Sequence, residues 1–217
     1  MFRRPQQPTQ DGLTTQRIEA FSDGVFAIAI TLLILEVKVP HSDAAAGKRL
    51  AEALFALWPS YFTYVLSFVT IGIYWANHHY VFQLYERTNH VFNLLNVLFL
   101  MAISFLPLPT AVLGQYVLNP AERQTAIEFY ALGLLLPATG WCLMWLYSRY
   151  AGLLDCRLEA AFIRRLTIQY VASVVIYGAS FATAFVSPKV CLGLSVGLTA
   201  LYLMRPPTPV YSKFKTA

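Results

Sequence analysis

Long uncharged apolar runs, separated by short polar segments, set the pattern of this chain. Residues 24–35 (GVFAIAITLLIL) form the first run, with Asp23 before it and Glu36 after it. A helix needs roughly 20 residues to cross the hydrocarbon core of a bilayer, so a span built on this run brings its flanking charges to the membrane. Charges at that depth normally face protein or water and mark an ion or substrate path.

The same pattern predicts six membrane-spanning helices joined by short polar segments. Pro59 is expected to kink the second span, Pro107 and Pro109 to bend the third, and Pro137 with Gly140 to interrupt the fourth. We expect residues 1–13 to be disordered, 14–205 to form one six-helix transmembrane domain, and 206–217 to be a flexible tail. The six spans cover residues 17–37, 50–82, 90–113, 126–147, 162–185 and 190–204.

Composition supports an all-α integral membrane protein. Of 217 residues, 57% are hydrophobic and 12% are charged, whereas soluble domains have about 25% charged residues. The net charge of +5 comes from basic residues that lie mostly in loops and tails, so a nucleic-acid partner is not expected. The three cysteines show no metal-ligand spacing, and no catalytic motif is present. We therefore expect neither an enzyme nor a protein with a cofactor or fixed metal.

The distribution of lysine and arginine predicts the orientation. Six spans place both termini on one side, together with the second and fourth connections, and this side carries 11 basic residues against 5 on the other. Because positive charge accumulates on the cytoplasmic side, both termini are expected in the cytoplasm and the chain in the cell membrane.

One face of the first span has the composition of a pore wall. Gly24, Ile28, Thr31 and Leu35 fall on one helical stripe, with Leu32 beside it. If copies of this face surrounded an axis, Ile28 would form an apolar gate, Thr31 a ring of hydroxyls and Leu35 a second apolar ring. Alternatively, these aliphatic side chains pack against other helices or lipid.

Polar residues from three spans collect at the predicted cytoplasmic depth, next to that helix. One interpretation is a clamp that fixes helix packing, since a buried carboxylate needs hydrogen-bond partners. Another is that the histidines bind a metal or relay protons, although adjacent histidines on a helix point about 100° apart. The cluster contains Arg17, Ser22, Asp23, Trp75, Asn77, His78, His79, His90, Asn93 and Asn96.

Three segments resemble the transmembrane protein 175 family of potassium channels. The most specific is RIEAFSDGVFAIAITLLILEV at the first span, and the others are IGIYWANHHYVF and FLPLPT. The first segment opens with the signature residues Arg17, Phe21, Ser22 and Asp23.

This resemblance implies a cation channel without the carbonyl-lined TVGYG filter, which is absent from the sequence. The first helices would surround the pore, with Ile28 as the constriction, Thr31 as a hydroxyl ring and Leu35 as a second apolar ring. With one six-helix repeat per chain, it would be a homotetramer in lipid that passes monovalent cations, K⁺ above all.

The resemblance also assigns Arg17, Ser22 and Asp23 to an interhelical hydrogen-bond network, with Trp75 and either His78 or His79 as partners. The competing hypothesis is a proton-coupled secondary transporter that uses Asp23 and the histidines. Transporters often carry broken helices at matching points of two repeats, and the sequence shows no internal repeat.

Overall fold

The computed structural model describes residues 15–40, 50–203 and 207–211. The predicted disordered segment 1–13, most of the first loop and the end of the tail lie outside these residues. Within the described residues the fold is helical, with two isolated β-bridges. The helices are α1 (Thr15–Leu32), continued by a 3₁₀ turn (Leu33–Glu36), α2 (Leu50–Ala56), α3 (Trp58–Phe82), α4 (His90–Phe105), α5 (Pro107–Tyr116), α6 (Arg123–Tyr150), α7 (Ala160–Ala184) and α8 (Pro188–Tyr202).

Prolines break two of the predicted spans but not a third. α2 and α3 meet at a bend of 46°, with Pro59 in the first turn of α3, and Pro107 begins α5 directly after the break that ends α4. Pro137, in contrast, lies inside the 28-residue helix α6. The expected interruption there was wrong, because α6 is packed on several sides and neighbouring helices can accommodate a proline within a transmembrane helix.

The apolar helices are those of a multi-pass membrane protein. Four helical segments of the described chain are long and apolar enough to cross a bilayer, and the bent pair α2–α3 would make a fifth. The predicted sixth span corresponds to α8, whose 15 residues extend only about 22 Å, less than the roughly 30 Å of a hydrocarbon core. The four segments are Thr15–Glu36, His90–Tyr116, Arg123–Tyr150 and Ala160–Ala184.

α6 lies at the centre of the subunit and α1 at its edge. α6 packs against α4, α5, α7 and α8, whereas α1 packs mainly against α3 and α4. Of the most apolar 18 residues in each span, 61% are buried in α6 and only 22% in α1 with its 3₁₀ turn. Much of the α1 surface is therefore left for lipid or another protein chain.

The backbones of α4 and α6 are in close contact at Gly140. A Cβ atom at Gly140 would lie 3.1 Å from Phe99 Cα, and backbone atoms cannot move aside as the end of a side chain can. We therefore expect Gly140→Ala to destabilise the protein by about 1–3 kcal/mol, the usual cost of overpacking. The melting temperature of the purified protein in detergent measures this effect.

Gly178→Ala is the matched control, because a Cβ atom at this helical glycine would meet no neighbouring helix of the described chain within 4 Å. Alanine favours helix over glycine by about 1 kcal/mol, so this variant should melt at or above the wild-type temperature. A Gly140→Ala protein as stable as Gly178→Ala would contradict the tight α4–α6 contact.

The connections at the Asp23 end of the bundle are tied together. The 83–89 turn and the 151–159 connector exchange two hydrogen bonds, Glu86 N to Leu153 O and Asp155 N to Leu84 O, both 2.9 Å long. Residues 207–211, part of the tail expected to be flexible, pack on the same end, where Glu159 N donates to Val210 O at 3.0 Å. This part of the tail is thus held against the bundle.

Candidate pore helix and polar network

α1 has one face that belongs to the core of the subunit. Ser22, Phe26, Ala29 and Leu33 are buried, with exposures of 1% or less, and their spacing of three or four residues places them on one side of the helix. This side packs against α3 and α4. Burial of these four residues fixes the rotation of α1 about its own axis.

The predicted pore-wall residues lie on the opposite side of α1 and face away from the core. Ile28 is 61% exposed, Leu35 69% and Leu32 42%, and Gly24 and Thr31 are also exposed. The Thr31 hydroxyl donates to a backbone carbonyl one turn back, at 2.9 Å, which leaves its oxygen lone pairs free on the exposed face. The face thus offers aliphatic carbon and one hydroxyl oxygen to whatever covers it.

Behind this face, a buried chain of hydrogen bonds joins α1, α4 and α3. Asn96 Nδ2 donates to Ser22 Oγ at 3.0 Å, and Asn96 Oδ1 is 3.0 Å from His78 Nε2. With the Asn96 amide placed this way, His78 Nε2 carries the proton and donates. Ser22 in turn donates to Ile18 O at 2.7 Å. The exposure of Ser22, His78 and Asn96 is 1% or less, so each depends on these bonds to satisfy its polar atoms.

Aromatic rings enclose the imidazole of His78. Phe82 stacks on it with ring centroids 4.1 Å apart, and Phe26 of α1 meets it edge-on at 5.5 Å. Phe99 of α4 stacks at 6.1 Å. Side chains of α1, α3 and α4 thus hold the ring in one orientation. The ring therefore contributes to helix packing and is not exposed as a ligand.

Asp23 joins α1 to α3 at a second, more exposed point. Trp75 Nε1 donates to Asp23 Oδ1 at 3.0 Å, and Trp75 remains 48% exposed. Together with the Ser22–Asn96–His78 chain, this bond ties the start of α1 to its two neighbouring helices.

Four other residues of the predicted signature or polar cluster stand apart from this network. Arg17 is exposed and makes no hydrogen bond or ion pair with another described residue, Phe21 is 56% exposed, and Asn77 donates to Ile73 O on its own helix. His79 pairs with Gln83 on the surface, 3.1 Å away. Asn96 bridges α1 and α3. The sequence predicted its depth in the membrane but not its hydrogen-bond partners.

One group of described side chains has the ligand types and spacing to hold a metal ion: Glu86, Asp155 and Cys156, in the connections at the Asp23 end. Arg157 donates to both oxygens of Asp155, the shortest bond being 2.6 Å, and these hydrogen bonds lower the pKa of that carboxyl. The carboxylate thus already has a cationic partner. We assign no metal to this group.

The bundle and its network define a multi-pass helical membrane protein whose first helix presents an apolar face outward. A sequence model of the family "Endosomal/lysosomal potassium channel TMEM175" matches residues 17–107. The chain belongs to the TMEM175 family.

Individual relatives support this assignment over nearly the whole chain. The chain is 43% identical to "Potassium channel B446_29190" of Streptomyces collinus over 187 residues, covering 86% of this chain and 89% of that protein. It is 40% identical to "Potassium channel Cha6605_3372" of Chamaesiphon minutus, with coverages of 88% and 94%. A crystal structure of a TMEM175 homologue from Chamaesiphon minutus, described as a lysosomal potassium-selective channel, superposes with a TM-score of 0.77 at 37% identity, covering 87% of this chain and 96% of that one.

Proposed function

We propose that this chain is the subunit of a homotetrameric, potassium-permeable channel in which four α1 helices surround the pore. The observation that carries the proposal is the outward face of α1, where Ile28 and Leu35 are more than 60% exposed in the subunit. Two relatives that share about 40% of its sequence are named potassium channels, which supports K⁺ as the permeant ion.

In this channel the narrowest point is a ring of four Ile28 side chains. Such a ring provides no oxygen to replace the hydration shell of an ion, so it opposes passage by excluding water. Thr31, one turn further, supplies four hydroxyl oxygens that help a partly dehydrated ion, and Leu32 and Leu35 line the next constriction. Selectivity for K⁺ is modest because few oxygens replace the lost water.

The polar network positions this gate rather than conducting ions. Ser22, Asn96 and His78 hold the start of α1 against α4 and α3, which keeps the Ile28 face turned toward the axis. No cofactor takes part. The channel lies in the cell membrane with both termini in the cytoplasm, because the side that carries the termini also carries most of the basic residues.

The transporter hypothesis receives less support from the arrangement of the polar side chains. A proton relay between Asp23 and the histidines needs connected donors and acceptors. Within the described residues, Asp23 bonds to Trp75, His78 to Asn96 and His79 to Gln83. These are three separate partnerships, and His78 is sealed among aromatic rings.

Cysteine cross-linking tests the shared axis directly. With Cys156, the one exposed cysteine, replaced by serine, Ile28→Cys should form inter-subunit disulfides on mild oxidation, because four Ile28 positions meet at the gate. In planar bilayers, the same variant should lose its unitary K⁺ currents when Cd²⁺, which binds thiolates, is added.

Ile168→Cys is the matched control, since Ile168 is 59% exposed on α7, away from α1. It should neither cross-link within the tetramer nor respond to Cd²⁺. Light scattering of the purified protein should give a tetramer mass. A monomer, or an Ile28→Cys protein that is folded but not cross-linked, would refute the shared pore, and potassium flux without unitary currents would favour a carrier.

A further inference from the structure

Arg149, in the last turn of α6, is held against α7 at the end of the bundle where the 151–159 connector lies. Its Nη1 donates to Thr167 Oγ1 at 2.9 Å, and Trp145 Nε1 donates to the same oxygen at the same distance. A guanidinium has five N–H donors. The exposed side chain of Arg149 makes no other hydrogen bond to a described residue, so most of its donors are free to bind a ligand.

Arg164 places a second guanidinium next to this anchor. It precedes Thr167 by three residues, and residues three apart on a helix are neighbours, with Cβ atoms about 5–6 Å apart. Arg164 is exposed and makes no hydrogen bond or ion pair with a described residue. The acidic residues of the connector do not neutralise it, because Asp155 is bound by Arg157 and Glu159 forms no ion pair within the described chain. The tail beyond residue 211 adds two lysines and no acidic side chain.

Along the membrane span below the two arginines, the outer surface of α6 and α7 is apolar. Positions four, seven and eleven residues after Arg164 share its stripe of α7, and all three hold exposed aliphatic side chains. α6 and α7 run antiparallel from their contact at Thr167, so the residues that precede Arg149 lie beside this stripe. The aliphatic side chains, each at least 39% exposed, are Ile168, Val171 and Val175 on α7 and Leu143 and Leu146 on α6.

We propose that this surface binds an anionic phospholipid, with its phosphate between Arg149 and Arg164 and an acyl chain along the apolar stripe. Guanidinium groups match the geometry of phosphate oxygens, and basic residues at the end of membrane helices are typical of sites for anionic headgroups. A choline headgroup would bring a third cation to the two arginines and is disfavoured. An open hollow of about 330 Å³ beside Arg149 leaves room for the rest of the headgroup on the water side.

Native mass spectrometry of the full-length protein in detergent tests this site, because it counts the lipids bound per subunit whatever the oligomeric mass. The probes are phosphatidylglycerol and phosphatidylcholine with identical acyl chains. Phosphatidylglycerol should bind at least fivefold more tightly. Arg164→Gln should weaken its binding about fivefold, since a basic residue near an anionic membrane surface contributes about 1 kcal/mol, and Arg149→Gln should weaken it at least as much.

Arg165→Gln is the matched control, because Arg165 is also exposed but points about 100° away from Arg164 around α7. It removes the same charge at the same depth and should change phosphatidylglycerol binding less than twofold. Without added lipid, Arg164→Gln should melt at the wild-type temperature, since it breaks no bond to a described residue.

A third probe, the water-soluble headgroup glycerophosphoglycerol, separates a lipid site from a site for free phosphate and depends on no variant. It should not displace phosphatidylglycerol at equal concentration, because it has no acyl chain to cover the apolar stripe. Displacement by this headgroup would overturn the proposal in favour of a soluble phosphate ligand. Equal binding of the two lipids, or equal effects of Arg164→Gln and Arg165→Gln, would show only a general attraction between membrane and basic residues and would also overturn it.

Discussion

Ile28→Asn should raise the unitary K⁺ conductance several-fold and reduce discrimination between K⁺ and Na⁺. Four amide side chains would replace four aliphatic ones at the proposed constriction, so water would remain there and an ion would keep more of its hydration shell. Ile28 is 61% exposed in the subunit and is not one of its buried core residues, so we expect the substitution to leave the fold intact. Single-channel recording in planar bilayers, with reversal potentials under K⁺ and Na⁺ gradients, measures both effects.

The control for this variant is Ile168→Asn, which places the same amide on an exposed site of α7. It should assemble and conduct as the wild type does. If a tetrameric Ile28→Asn protein had wild-type conductance and selectivity, Ile28 would not be the constriction. A stronger effect from the same change at Leu35 would place the gate at the second apolar ring.

Asn96→Ala should lower the free energy of unfolding by about 1–3 kcal/mol and loosen α1 from the bundle. The substitution removes the hydrogen bonds to Ser22 and His78. It leaves the His78 Nε2–H group without a partner in a site that is 1% exposed. Thermal melting in detergent measures the stability, and hydrogen exchange of the α1 amides reports the loosening.

Asn77→Ala provides the comparison, because among the described residues the Asn77 side chain bonds only to the backbone of its own helix. Its melting temperature should stay within a degree or two of wild type, since a change away from such a network is usually worth less than about 0.5 kcal/mol. In addition, Ser22→Ala and Asn96→Ala should be non-additive, because both break the same bond. Additive effects would show that the two side chains act independently.

The pore face of α1 could be predicted from the sequence only in part. The 3.6-residue periodicity is local, so Ile28, Thr31 and Leu35 could be assigned to one stripe from the sequence. Whether that stripe faced the core depended on the competing stripe, which holds Phe26 and Leu33. Each stripe combines large apolar residues with one small residue and one hydroxyl, so hydropathy does not rank them, and the buried contacts of Phe26 and Leu33 decide the rotation.

The position of the two histidines in the polar network could also be predicted only in part. The sequence placed His78 and His79 at one depth and predicted that they point in different directions. It did not say which one enters the core. Phe82, Phe99 and Asn96 surround His78, and the last two come from another helix, so the choice depends on non-local packing.

Residue order alone was enough for the class of protein, the first-helix signature, and the breaks near Pro59 and Pro107, because hydropathy, periodicity and proline geometry act within a few residues. Helix packing decided the rest: the unbroken course of α6 through Pro137 and the entry of His78 into the network. These features arise where helices distant in the chain meet, and no local pattern encodes which of their faces will touch.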